Sequence, residues 1–184
     1  MKRIRNNASG THLVHPEHGK RDVWSVMVAT PGKLFAGRGW IFELKYDGFR
    51  CLASTRRGIG VRLESRNGRD MTACFPELAE ELAAIDADLV VDGEVVICDE
   101  MGRPQWNRLH KRHMLRNPRR IATAATADPA CIFAFDLPWL NGEDYRHFPL
   151  SSEEGAAQRG AVRPPAGEVR GSLRRVADAA VAPD

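Results

Sequence analysis

A chain of 184 residues with 43% hydrophobic residues has room for one domain with a real core, and a net charge of +3 is too mild to exclude or select a partner. No apolar run approaches the roughly 20 residues a bilayer helix requires, and no apolar stretch follows the charged start Met1-Lys2-Arg3-Ile4-Arg5 to act as a signal peptide. Membrane-spanning is therefore excluded, and a cytoplasmic protein is expected.

Residues 1–22 are polar and aperiodic, which reads as a loose N-terminal arm preceding a domain over 23–150. His12, His15 and His18 could share a zinc ion if this arm were helical, but Pro16, Gly10 and Gly19 oppose a helix, so solvated histidines are expected. Val23 to Thr30 is mainly apolar and closes on Pro31-Gly32, as a buried segment would. Trp40-Ile41-Phe42-Glu43-Leu44-Lys45 then reads as a strand. Asp47-Gly48 turns the chain, glycine tolerating positive φ, and Phe49 to Ser54 returns as the second strand of a hairpin. A lysine at the mouth of such a hairpin is expected to be partly stripped of water, which favours a neutral, nucleophilic amine.

Val61-Arg62-Leu63-Glu64-Ser65 alternates as a half-buried strand, and Asn67-Gly68 turns the chain again. Pro76 opens a helix whose Leu78, Leu82 and Ile85 recur at helical spacing. Leu89 to Cys98 is a β-branched, buried-type strand interrupted by Asp92-Gly93-Glu94. Burying a carboxylate without a partner costs several kcal/mol, so Asp92 or Glu94 should face a cleft, a cation or a bound hydroxyl; a plain Asp-Gly hairpin between two strands is the alternative.

Pro104 to Met114 reads as a helix with Trp106, Leu109 and His113 on one face and arginines on the other. Between Met101 and Ala127 there is no acidic residue, while Arg103, Arg108, Lys111, Arg112, Arg116, Arg119 and Arg120 are all positive. Such a segment suits a phosphate backbone, and equally a solvated basic helix face. Residues 116–130 are Pro-, Thr- and Ala-rich without a period and read as loop, and Cys131 to Leu137 as a central strand. The four cysteines, at 51, 74, 98 and 131, form neither a Cys-x-x-Cys pair nor a disulfide framework and are expected to be reduced core residues. Residues 151–184 hold no aromatic and little to bury, so a weakly ordered tail is expected.

Lys45-Tyr46-Asp47-Gly48-Phe49-Arg50 resembles motif I of the covalent nucleotidyltransferases, in which the lysine takes a nucleoside monophosphate as a phosphoramidate. Ser65-Arg66-Asn67-Gly68 resembles motif Ia, Asp92-Gly93-Glu94 motif III, and Phe135-Asp136-Leu137 motif IIIa of ATP-dependent DNA ligases. In this order the motifs resemble the adenylation domain of bacterial repair and end-joining ligases. Ser65-Arg66-Asn67-Gly68 has ligase rather than capping-enzyme character, and Arg50 closes motif I unlike in NAD-dependent ligases. The resemblance implies an α+β nucleotidyltransferase domain, ATP-grasp-like, of antiparallel sheets flanked by helices.

It further implies Lys45 as the catalytic nucleophile, with Glu43, Arg50, Arg66, Glu94 and Phe135 binding nucleotide, and Glu94 also placing Mg²⁺. Gly93 would let the ligand approach the backbone, and Phe135, or alternatively Phe133, would stack on adenine. ATP and nicked double-stranded DNA are the implied substrates. Motif IV has only a poor echo in Glu154-Gly155, no lysine follows Lys111 to supply motif V, and no oligonucleotide-binding domain follows. The reading is thus of a C-terminally truncated adenylation domain with an out-of-frame or degenerate tail. A non-catalytic nucleotide- or DNA-binding remnant is the alternative.

Overall fold

The computed structural model describes residues 45–147, the backbones of Thr11–His12 and Val23–Trp24, and residues 26, 28 and 30–32. Most of the N-terminal arm, the strand expected over residues 40–44 and the tail lie outside the described residues. Thr11–His12 (β1) pairs antiparallel with Val23–Trp24 (β2). In the segment expected to be buried, Val26 packs against Leu52 and Val90, but Val28 is exposed.

The domain is α+β. Its centre is a five-stranded antiparallel sheet in the order β4-β3-β5-β6-β7, formed by Phe49–Arg56 (β3), Gly60–Ser65 (β4), Leu89–Val96 (β5), Cys131–Leu140 (β6) and Glu143–Asp144 (β7). β5 runs without interruption through Asp92-Gly93-Glu94, which rules out an Asp-Gly hairpin there. Three helices, Pro76–Ala83 (α1), Trp106–His113 (α2) and Pro118–Ala127 (α3), complete the domain. Among the described residues no helix is long and apolar enough to cross a membrane.

The two-residue period of the strands gives the sheet two unlike faces. Cys51, Ala53, Leu63, Leu89, Val91, Val95, Ile132, Ala134 and Leu137 turn to one face and form a single cluster with Phe75, Leu78, Leu82 and Leu109. The leucine stripe expected of α1 is therefore core. Its first turn starts at Pro76, and the Glu77 carboxylate, also in that turn, accepts from Arg112 Nη2 at 2.7 and 2.8 Å and from the Ala130 N–H at 3.0 Å. That one acid ties α1 to α2 and to the start of β6.

The basic segment differs from expectation in two ways. Arg112 is 3% exposed and held by Glu77 and the Cys74 carbonyl, and Arg108 is bidentate on Asp128. Neither is a free cation of a helix face; burying Arg112 alone would be costly, so the fold supplies its acid. Residues 118–127, read as loop, are helix α3: Asn117 caps it by accepting from the Arg119 and Arg120 N–H groups, and Pro118 fills the first position. Its only buried residue is Ile121, so alanines left no apolar period to read.

Candidate active site

The opposite face of the sheet carries polar groups at the same alternate positions. Arg50 and Leu52 of β3 lie level with Glu94 and Asp92 of β5, and Glu94 lies level with Phe133 of β6. Ser65 of β4 lies level with Cys51 and ends the β3–β4 ladder, and Arg66 follows in the turn. Arg50, Glu94 and Phe133, distant in the chain, thus form a row across three strands, with the Lys45 charge near Glu94.

Lys45, Tyr46 and Asp47 have no regular structure, and β3 begins at Phe49. Gly48 does not have positive φ. Its requirement is closeness: a Cβ there would lie 2.2 Å from the Val95 carbonyl oxygen and 2.9 Å from Glu94 Cγ. The motif is thereby pressed onto β5, and the Gly48 N–H donates to the Glu94 carboxylate. Lys45 itself is exposed, so the expected stripping of water does not hold within the described residues. Gly93 likewise answers to the fold, since a Cβ would meet the Phe133 carbonyl and the Ile132 side chain at 2.8 Å; what comes close is strand β6.

Arg50 reaches diagonally to Asp92, with Nε 2.5 Å from Oδ1 and Nη2 2.7 Å from Oδ2. This fork-to-carboxylate geometry fixes the guanidinium plane. Its Cζ sits 4.2 Å from the centre of the Phe135 ring. The cation anticipated for the buried pair of acids is therefore Arg50, and it belongs to Asp92. Glu94 is left half-buried; burial raises its carboxyl above the usual range, opposed by the nearby charges of Arg50 and Lys45.

Phe135 owes its position to an irregular β6. Asp92 pairs with Asp136 but Gly93 with Ala134, so Phe135 is an extra residue, and a second irregularity falls at Leu137 and Pro138. Pro138 has no N–H for the ladder, and its carbonyl accepts from the Tyr145 N–H at 2.9 Å. Phe133 is nearly buried because Tyr46 stacks on it, ring centres 3.9 Å apart and planes 8° from parallel. Tyr46 was not singled out from sequence, although an aromatic beside Lys45 was a readable signal.

Glu64 was also missed. It pairs with Leu52 and hence shares the face of Arg50; it is 1% exposed, with Arg62 2.9 Å from one oxygen and the other oxygen without a hydrogen bond. Burial raises its carboxyl above the usual range. Glu43 lies outside the described residues. Arg66 is exposed in the turn after β4.

No group of three or more metal-ligating side chains occurs among the described residues. With Asp92 engaged by Arg50, Glu94 is a carboxylate of this cluster that could hold a metal. One carboxylate suits Mg²⁺, which keeps waters and draws its other ligands from substrate phosphates. A groove of about 720 Å³ between β4 and α1, lined by Val61, Thr72, Pro76 and Ala83, includes none of these residues.

The family profile described as an ATP dependent DNA ligase domain matches residues 27–157. The bifunctional non-homologous end joining protein LigD of Bacillus subtilis is 36% identical over 59% of this chain and 18% of its own length. DNA ligase C of Mycobacterium tuberculosis is 40% identical over 62% of this chain and 32% of its own length. The crystal structure of the M. tuberculosis LigD ligase domain is 36% identical, with a TM-score of 0.42 over 55% of this chain and 30% of that one. The chain spans a third or less of each of these proteins.

Proposed function

We propose, for a chain that belongs to the ATP-dependent DNA ligase family, that Lys45 is the nucleophile of a nucleotidyl-transfer site that seals nicked double-stranded DNA. The Lys45 amine, once neutral, attacks the α-phosphorus of ATP; the nitrogen–phosphorus bond forms as the bond to pyrophosphate breaks. The lysine then gives AMP to a 5′-phosphate at the nick, and the adjacent 3′-hydroxyl displaces AMP as the new phosphodiester forms.

The observation that carries this reading is the row of Arg50, Glu94 and Phe133 beside Lys45, with Arg50 locked on Asp92 and laid over Phe135. A guanidinium held in place before the substrate arrives stabilises phosphate charge without reorganising. Arg50 and Arg66 contact phosphate or ribose oxygens, Phe135 faces the adenine, and Glu43 joins the nucleotide-binding set. Glu94 contacts ribose or holds Mg²⁺, which when bound neutralises triphosphate charge. The reading places the protein in the cytoplasm, with the DNA it acts on.

Incubation with ATP radiolabelled at the α-phosphate, with Mg²⁺ or Mn²⁺, tests it. Covalent label on wild type that survives alkali and is released by hot acid, as a phosphoramidate's is, absent from Lys45→Ala and not replaced by GTP label, is expected. No covalent label under any of these conditions would overturn it and favour a nucleotide- or DNA-binding role without catalysis.

A further inference from the structure

Two of the four thiols meet at the edge of the site face. Val96 is the partner of Cys131 in the β5–β6 ladder; Cys98 lies two residues on, past the end of β5, and its thiol is hydrogen-bonded to that of Cys131. Both belong to the cluster of Val96, Phe133 and Tyr46. Cys131 is buried, whereas Cys98 is half-exposed and so open to a small reagent. Neither thiol has a part in the proposed transfer of AMP.

We infer that Cys98 and Cys131 form a peroxide-reactive dithiol, Cys98 being oxidised first and Cys131 resolving it to a disulfide that joins the segment after β5 to β6 beside the Tyr46–Phe133 stack. The Cys98 sulfur displaces hydroxide from hydrogen peroxide as the O–O bond breaks, giving a sulfenic acid. The Cys131 sulfur then attacks that sulfur; the S–S bond forms, and the hydroxyl leaves as water with the Cys131 proton. The two thiols lose one electron each, and peroxide takes both.

The division of labour follows the surroundings. The hydrogen bond from Cys131 holds the Cys98 thiol below its usual pKa, while that bond and burial push Cys131 far up. The thiolate is the reactive form, so the exposed member is also the nucleophilic one. Cys98 lies beyond the last β5–β6 ladder pair with its backbone bridged to Pro104, so the move from thiol contact to bond length falls to the two side chains.

The test needs no nucleotide, so its failure is separable from that of the ligase reading. The reduced full chain is treated with hydrogen peroxide, its thiols are titrated, and its peptides are mapped by mass spectrometry without reduction. Loss of two of the four thiols is expected, with one Cys98–Cys131 cross-link, independent of protein concentration and reversed by dithiothreitol. Cys131→Ser should instead accumulate a Cys98 sulfenic acid that dimedone traps. Thiol loss confined to Cys74, cross-links only between molecules, or four thiols intact after treatment would each overturn the inference, and the wild-type map decides even if a variant fails to fold.

Discussion

The two faces of the five-stranded sheet are built from the same strands and behave as two different materials. Under the helices, Leu63, Phe75, Leu78, Leu82 and Leu109 are fully buried, and the buried charge on that side is the Arg112–Glu77 pair. On the other face, Arg50, Asp92, Glu94 and Glu64 are interleaved with Leu52, Val90 and Phe133. The lesson is that a period of two lets each strand carry packing on one side and charge on the other, so that stability and chemistry can be damaged separately.

The sharpest break comes from the helix side. Arg112→Ala leaves Glu77 without its buried cation and is expected to cost about 3–5 kcal/mol in urea unfolding. Leu82→Ala, which opens a void in the same layer, is expected to cost about 2–5 kcal/mol by the same measurement. Whatever label each folded variant takes from ATP should stay near wild type. Asp92→Ala should invert that pattern: its Arg50 partner is partly exposed and regains water, so the cost is about 1–3 kcal/mol, while label on Lys45 falls further than in either core variant. If Asp92→Ala labels normally, the fixed guanidinium has no part in the transfer.

The smallest effect is a pH dependence. Glu64 is raised in the folded state, so its contribution is fully present below the ordinary glutamate pKa, where it is protonated in both states, and is lost as pH rises through the raised value. Glu64→Gln should therefore be at least as stable as wild type at neutral pH. It should also flatten the fall in urea midpoint between acid and neutral solution. A wild-type midpoint that rises over that window, and falls in the variant, would remove Glu64 as a source of strain on the site face.

Much of this was legible in sequence because it rests on local spacing. Leu78 and Leu82 at helical intervals gave α1, a β-branched run interrupted by Asp92-Gly93-Glu94 gave β5, and an apolar run gave β6. The cost of a bare acid in a buried strand called for a cleft, a cation or a hydroxyl at Asp92 or Glu94, but not for Arg50 as the cation or Asp92 as its partner. Three things escaped. Helix α3 rests on a cap and on alanines that leave no stripe. The burial of Arg112 depends on an acid 35 residues away. The burial of Glu64 depends on what covers its face, to which alternation is blind. Asp47-Gly48 was read as the turn of a hairpin with β3, but β3 is flanked by β4 and β5, and what forbids a side chain at Gly48 is its neighbour on β5, not its own φ.

The irregular ladder of β6 sets a price on regularity. A strand obeying strict alternation would offer the site face either Phe135 or Asp136, not both; the extra residue lets neighbours in sequence stand on the same side. A one-residue deletion at Phe135 would let Asp136 and Ala134 fall into continuous register with Asp92 and Gly93. Such a chain would gain a tidier sheet and surrender the ring beneath Arg50. Selection for thermal robustness and selection for the site would thus pull in opposite directions at this one strand, so stabilised variants of the domain should be screened here first for lost function.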